Sequence, residues 1–551
     1  MPTISINKKE FEKYVGKKLS LDKLKDRISY LGTDLEKVDN NEIIVEIFPD
    51  RPDMLSLQGF ARAFSSFISV KKGLRKYNVK KSDHKVIVDK SVDKYRPYTV
   101  CAIIKNLKFS DEKIKEIIDI QEKLHITYGR NRKKAAIGVY PFEKIKTPIV
   151  FIASDPKKIK FIPLGEKKEL NGLQVLNQTS SGREYAHLLE GMNKFPYFID
   201  ANNEVLSMPP IINSDNVGNI SNKTKDVFIE CSGFDFNILK KCLNMIVTSL
   251  ADMGGEIYSM EIIYGNKKII SPNLEPEKMK LDLKYMNKLL GLNLKEKDVK
   301  KYLERMGYDY SKNIVLIPAY RSDIMHQVDI IEDIAITYGY ENFKEEIPNV
   351  ATIGEENNFE VFKNKIANLL VGFNLSETST YHLINEKDLC ENMLVKTDYI
   401  ELEKASSSDY NILRTWVTPS LLQVLRTNKH NEYPQNLFEI GTVFNKNKEK
   451  IEENDRLAIT LCHSKANFTE IKQILDSLFD NLGLKYKIDN IEHNSFIPGR
   501  VGRVSVNGKK VAYIGEINPL VLSNFGLEMP VSVFELNLTE LFKLMPEKIG
   551  L

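Results

Sequence analysis

The feature that most limits what this chain can fold into is an internal repeat. Setting Gly16 over Gly291 aligns the two segments without a gap through Asp34 and Asp309, and apolar positions coincide at Leu19/Leu294, Leu24/Val299, Ile28/Leu303 and Leu31/Met306. From Leu24 or Val299 the apolar spacing is i, i+4, i+7, which predicts an amphipathic helix, and Gly32 or Gly307 closes it as a glycine just past a helix end. With five residues fewer in the second copy, Ile43–Pro49 then matches Asn313–Ala319 as a strand, and Arg51-Pro52-Asp53-Met54 matches Arg321-Ser322-Asp323-Ile324. Both lead into a further helix, with Asp53 and Asp323 expected as its shared cap. Small helix–helix–strand units of this kind serve as nucleic-acid-binding modules or simply as packing.

The second copy departs from the first in its charges. Asp329, Glu332 and Asp333 stand at i, i+3 and i+4 on one helix face, with Asp323 just ahead, where the first copy has Gly59, Arg62 and Ala63. Like charges that close repel, so the cluster asks for a cation; hard oxygen ligands with no cysteine or histidine among them suit magnesium or calcium. His326 reads as a surface residue. The competing reading is an acidic, solvated first turn that complements the helix dipole.

A chain of 551 residues is too long for a single core, and three to five domains are expected. The 79 Lys+Arg nearly balance the 75 Asp+Glu, which excludes a global cationic field, so any nucleic-acid contact must be local. The lysine-rich stretches Lys71–Lys81 and Lys105–Lys115 read as solvated faces. Five cysteines at irregular spacing fit neither a disulfide framework nor a zinc site and imply a reducing compartment. No apolar signal region opens the chain and no stretch approaches a membrane span, so a cytoplasmic protein without membrane contact is expected.

Between the copies, β-type runs at Tyr98–Ile104, Ala136–Tyr140 and Val227–Glu230 precede a helix over Asn237–Met253; after the second copy, strands are expected at Asn436–Phe444, Leu457–Cys462, Gly499–Val506 and Val531–Asn537. Within this frame stand "QEKLHITYGRNRKKAAIGVYPFEKI" from Gln121, "VLSMPPIINS" from Val205, "YRSDIMHQVDIIEDIAITYGYENF" from Tyr320, "LFEIGTVF" from Leu437, "FIPGR" from Phe496 and "IGEINP" from Ile514. In that order and over essentially the whole chain, these strings resemble phenylalanyl-tRNA synthetase beta subunits of the archaeal and eukaryotic type.

The resemblance implies an α+β multidomain fold: an N-terminal module (1–81), an editing domain (82–270), a second module carrying a magnesium site at Asp323, Asp329, Glu332 and Asp333 (271–346), and an inactive class II synthetase-like antiparallel-sheet domain for assembly (347–551). It also implies an alpha-subunit partner in a heterotetramer of two alpha and two beta chains, a phenylalanine tRNA, and ATP and magnesium as substrate and cofactor of the complex. A working class II site needs an arginine before the glutamate of its second motif to clamp phosphate. Here that strand reads Phe438-Glu439-Ile440-Gly441, and Arg414 and Arg426 are expected to make structural pairs or partner contacts. No firm catalytic residue is assigned.

Phenylalanine and tyrosine differ by one hydroxyl, which an apolar pocket rejects by only about two orders of magnitude, so a second sieve is needed. Glu230 and Ser232 alternate on a strand and share a face with the reach to meet Ser207. Matched to the archaeal editing motif, Phe198, Ser207, Glu230 and Ser232 fall at pocket positions, Glu230 resembling the acid that accepts the tyrosine hydroxyl. Two other readings stay open: a tRNA-binding and assembly subunit without editing, and a nucleic-acid-binding regulator built on the repeated modules.

Overall fold

A computed structural model describes residues 2–39, 41–350, 354–447 and 450–545 and resolves two compact units, Met1–Ile347 and Pro348–Leu551. The first opens with the strand Thr3–Asn7 and the helix Lys8–Val15, whose N-terminal amides at Lys9 and Glu10 bond to the Asn7 side chain. Gly16, at φ 82°, ends that helix in the left-handed conformation that glycine adopts without strain. The helix Leu21–Tyr30 and the strands Asp34–Val38 and Glu42–Glu46 follow, and the last strand lies centrally in a three-stranded sheet.

The same order recurs in Glu277–Lys280, Leu283–Leu290, Glu296–Arg305, Asp309–Ser311 and Ile314–Ile317, again with the last strand in the middle and Gly291 at φ 66° ending the first helix. Leu24, Ile28, Val299 and Leu303 are all buried, as the apolar spacing requires. The expected shared cap is not one. Ser56 and His326 occupy the N-cap positions, and Asp53 and Asp323 instead accept forked hydrogen bonds from Arg51 and Arg321 two residues earlier, at 2.6–2.9 Å. A guanidinium on a neighbouring turn competes better for a buried carboxylate than helix amides do.

The intervening chain builds an eleven-stranded sheet whose main path runs Ile212–Asn213, Val205–Met208, Phe195–Ile199, Ile149–Ser154, Lys85–Val88, Glu256–Tyr264, Tyr98–Lys105, Val227–Gly233 and Ala135–Pro141. The helix Phe236–Asp252 lies within one turn of its expected span, and its buried residues Leu239, Leu243, Ile246 and Leu250 belong to the same hydrophobic core as the strand residues Val100, Ala102, Val227 and Ile229. One core runs from Ile4 to Ile334, so both modules pack into the unit that holds this sheet.

The second unit carries a seven-stranded sheet in which Gln435–Asn447, Lys450–Cys462, Val531–Asn537, Lys509–Ile517, Phe496–Val506 and Lys487–Asn490 pair antiparallel and the short Ser376–Glu377 runs parallel. Side chains alternate across it. Leu457, Ile459 and Leu461 pack with the helices Asn358–Gly372 and Phe468–Asn481, while Ala458 packs with Val417 and Leu421 of the opposite layer.

Candidate functional site

The two ends of the long sheet path close on one another. Tyr140 stands on the last strand and Ser207 and Asn213 near the first, yet the Tyr140 hydroxyl lies 2.8 Å from Ser207 Oγ, 3.3 Å from Asn213 Oδ1 and 3.2 Å from Glu230 Oε1. Gly138 makes this reach possible. A Cβ there would sit 2.1 Å from the Tyr140 hydroxyl oxygen, so the ring folds back over a position that only glycine leaves open. Gly138 is also the register partner of Glu230, which brings the hydroxyl beside that carboxyl.

Glu230 and Ser207 are each 2% exposed and line a cavity of about 200 Å3 together with Gln121, His125, Arg132, Ile137 and Pro209. Burial holds the Glu230 carboxyl protonated, its pKa pushed up to about 8 against the opposing pull of Arg96 and of the hydrogen bond from Tyr140. Burial also keeps the Tyr140 hydroxyl protonated. One O–H cannot donate to three neighbours. The Tyr140 hydroxyl is the donor toward Ser207 Oγ, Asn213 Oδ1 and Glu230 Oε1 and serves one of them at a time. Glu230 Oε2 is buried and has no hydrogen-bond partner.

The structure gathers Ser207 and Glu230 at the cavity but sets Phe198 and Ser232 behind it. Phe198 is opposite Ser207 in the strand register, fully buried, and stacked on Phe151 with ring centroids 4.2 Å apart. Ser232 Oγ accepts from Arg96 Nε at 3.0 Å, which holds a cation against the strand that bears Glu230.

The opposite wall is rigid. His125 Nε2 accepts the Ile137 amide at 2.8 Å, which places the ring proton on Nδ1 facing Glu122 at 3.1 Å; burial lowers the His125 pKa and keeps the ring neutral. Glu122, which burial would raise, is held at about 2 by His125 and Arg132. Arg132 also donates to Ile211 O at 2.8 Å and lies over the Tyr185 ring. With both nitrogens engaged, His125 is not free to act as a base. Tyr140, Gly138, Asn213, Arg96 and His125 were not singled out from sequence; the one local signal was a lone glycine in a β-type run two residues before a tyrosine.

The carboxylates of the second module do not form a donor set. Asp329 Oδ2 turns back to accept the Met325 and His326 amides, both at 2.7 Å, closing the start of its own helix. Asp333 turns inward, 5% exposed, and accepts from Arg321 at 2.9 Å and from the Tyr308 hydroxyl; Asp323 is held by the same arginine, and Glu332 points to solvent. Among the described residues no group of three or more acids, histidines or cysteines is arranged to hold a metal ion. The cation that Asp323 and Asp333 meet in this structure is Arg321. In the first copy Tyr308 and Asp333 are replaced by Thr33 and Ala63, so the bonded pair is absent as a pair.

In the second unit Arg414 is fully buried, paired with Glu439 at 2.7 Å and with Thr380, and it lies so close over Gly441 that a Cβ there would meet Nη2 at 2.1 Å. Arg426 pairs loosely with Asp388 at 3.3 Å. Both arginines are structural pairs, as expected.

Comparison with known families assigns the class first: the chain matches the B3/4 domain over residues 96–251, the tRNA synthetase B5 domain over 279–340 and the phenylalanyl tRNA synthetase beta chain CLM domain over 344–538. It is 39% identical to the phenylalanine–tRNA ligase beta subunit of Thermococcus onnurineus and 40% to that of Pyrococcus abyssi, with 98% of this chain and 99% and 100% of those proteins covered. A solved N-terminal fragment of the phenylalanyl-tRNA synthetase beta subunit from Pyrococcus horikoshii superposes with a TM-score of 0.59 at 37% identity, covering 61% of this chain and 99% of the fragment. The chain belongs to the phenylalanine–tRNA ligase beta subunit family.

Proposed function

We propose that this chain is the beta subunit of a phenylalanine–tRNA ligase and that its central domain hydrolyses mischarged tyrosyl-tRNA. The observation that carries the second half is the unpartnered Oε2 of Glu230 beside a cavity of about 200 Å3. A cavity of about 150 Å3 holds a benzene ring, so there is space for a phenol. A phenol O–H entering it finds the acceptor that the protein leaves unused, whereas a phenylalanine ring leaves that acceptor buried and bare, at a cost of about 1–3 kcal/mol.

His125 is engaged at both nitrogens and Ser207 has no base beside it, so we assign hydrolysis to a positioned water and to the hydroxyl of the tRNA terminal ribose, with the cavity fixing the ester. In the assembled enzyme, Glu230→Ala is expected to clear tyrosyl-tRNA at least about tenfold more slowly than the parent. Clearance at the parent rate would assign the residue a structural role only.

The second unit acts in assembly with an alpha subunit, in a tetramer of two alpha and two beta chains. Its antiparallel sheet supports a class II synthetase-like core, and Arg414, the arginine nearest the second-motif glutamate, is spent on Glu439 and is not free for a phosphate. Adenylation, with its ATP and magnesium, belongs to the alpha subunit, and the acids of the second module hold a salt bridge. Five free cysteines, all buried, and the absence among the described residues of a helix long and apolar enough to cross a membrane support a cytoplasmic location. The two modules, alike in element order and strand order, are read as copies of one packing unit.

A further inference from the structure

The wall of the Glu230 cavity continues onto an unusual piece of surface. Arg132 lines the cavity, and the loop that carries it, Arg130–Lys134, holds four cations and no acid. Arg130, Asn131 and Arg132 all have positive φ, between 47° and 63°, and the turn is fixed by amide bonds from Asn131 to Ile126 O, Arg132 to His125 O and Lys134 to Gly129 O. It is also pinned from outside. A Cβ at Gly233 would meet Lys134 O at 2.1 Å, so the loop lies directly on the end of the Glu230 strand.

Just past that strand end, Phe234 is 50% exposed with the Arg96 guanidinium 5.6 Å from its ring, and Tyr98, the register partner of Gly233, is 39% exposed. Among the described residues Arg130 and Lys133 are exposed and make no ion pair. The neighbouring acids are already committed: Asp235 caps the following helix at Asn237 and Ile238, and Glu122 is paired with Arg132. Unpaired cations beside an exposed aromatic face, contiguous with a cavity, are the recognition chemistry of unpaired nucleic acid: phosphates on the cations, a base on the ring.

We propose that the Arg130–Lys134 loop and Phe234 form the docking surface for the single-stranded 3′ end of the RNA whose aminoacyl ester enters the Glu230 cavity. This rests on the editing reading and adds its missing half, since the cavity accounts for the amino acid but not for the RNA that carries it. Phe234 stacks on one base, and Arg130 and Lys133 each neutralise a phosphate. The loop is held in one shape, so the ester arrives at the cavity in a fixed orientation.

The test uses the full chain and two uncharged RNA hairpins, one with a four-nucleotide unpaired 3′ end and one blunt, with binding read by fluorescence anisotropy across a salt series. The parent is expected to prefer the overhang by about tenfold or more. Phe234→Ala removes that preference and Phe234→Tyr keeps it. Arg130→Ala with Lys133→Ala lowers the slope of log Kd against log salt by about 1.4. Equal binding of both hairpins by the parent overturns the proposal, as does a Phe234→Ala loss that is the same for both, or one seen only in association with the alpha subunit. The editing reading fails separately: if the overhang preference and its loss are as stated but the parent does not deacylate tyrosyl-tRNA, the surface stands and the editing does not. If Glu230→Ala slows deacylation while Phe234→Ala leaves both binding and the deacylation KM unchanged, the reverse holds.

Discussion

Glu230 and Asp333 are both buried acids on well-packed elements, and they differ in what surrounds them. Asp333 is paired with a cation: its Oδ2 accepts from both Arg321 and the Tyr308 hydroxyl. Glu230 meets the Tyr140 hydroxyl with one oxygen, keeps the other unpartnered, and faces a cavity. Arg96 is the cation nearest in influence to Glu230, but its own hydrogen bonds go to Ser232, so it tempers the acid without pairing with it. A buried acid with a cation partner holds the fold together. A buried acid without an ion pair, facing a cavity, costs stability and is retained where something binds.

The sharpest way to separate them is pH. The Glu230 carboxyl titrates near 8 in the folded chain against 4.5 ordinarily, so between those values the folded state holds a proton that the unfolded state has released. Its contribution to stability therefore falls as pH rises through that window, by up to about 1.4 kcal/mol per pH unit. Glu230→Gln is expected to match the parent at pH 5 and to exceed it by a few kcal/mol at pH 9 in chemical denaturation. Equal pH profiles would break the contrast. Asp333→Ala should do the opposite, destabilising by roughly 3 kcal/mol at neutral pH because Arg321 loses a buried partner.

Smaller effects refine the comparison. Gly138→Ala forces the Tyr140 ring out of its place over the strand and should cost about 1–3 kcal/mol while weakening deacylation of tyrosyl-tRNA. Asp329→Ala removes the bond that closes its helix, with an expected loss of about 1 kcal/mol and no change in bound magnesium by elemental analysis. A loss of metal in that variant would restore the ligand reading of the cluster.

Much of this frame was legible in the sequence for physical reasons. Period-3.6 and period-2 apolar spacing located the helix Phe236–Asp252 and the long C-terminal strands to within a few residues at most ends, although Lys450–Cys462 starts seven residues earlier than expected because its outer half is polar hairpin. Glycines at positive φ marked the helix ends of both modules. Glu230 and Ser232 were legible as sharing a strand face, and Ser207 through the family motif. Tyr140 was not, because it meets Ser207 only when the two ends of the sheet close. The acid cluster shows a related limit. Helical spacing tells which acids share a face, but not that Asp329 will fold back onto its own amides or that Arg321, earlier in the chain, will claim Asp333.

The most direct test of the central claim is the ratio of kcat/KM for deacylating tyrosyl-tRNA over phenylalanyl-tRNA, measured for the parent ligase and for Glu230→Ala. An acceptor at Oε2 that only a phenol can use predicts a parent ratio well above one and a fall of roughly 10-fold or more in the variant, with phenylalanyl-tRNA hydrolysis little changed. A ratio that is the same in both enzymes would contradict the account.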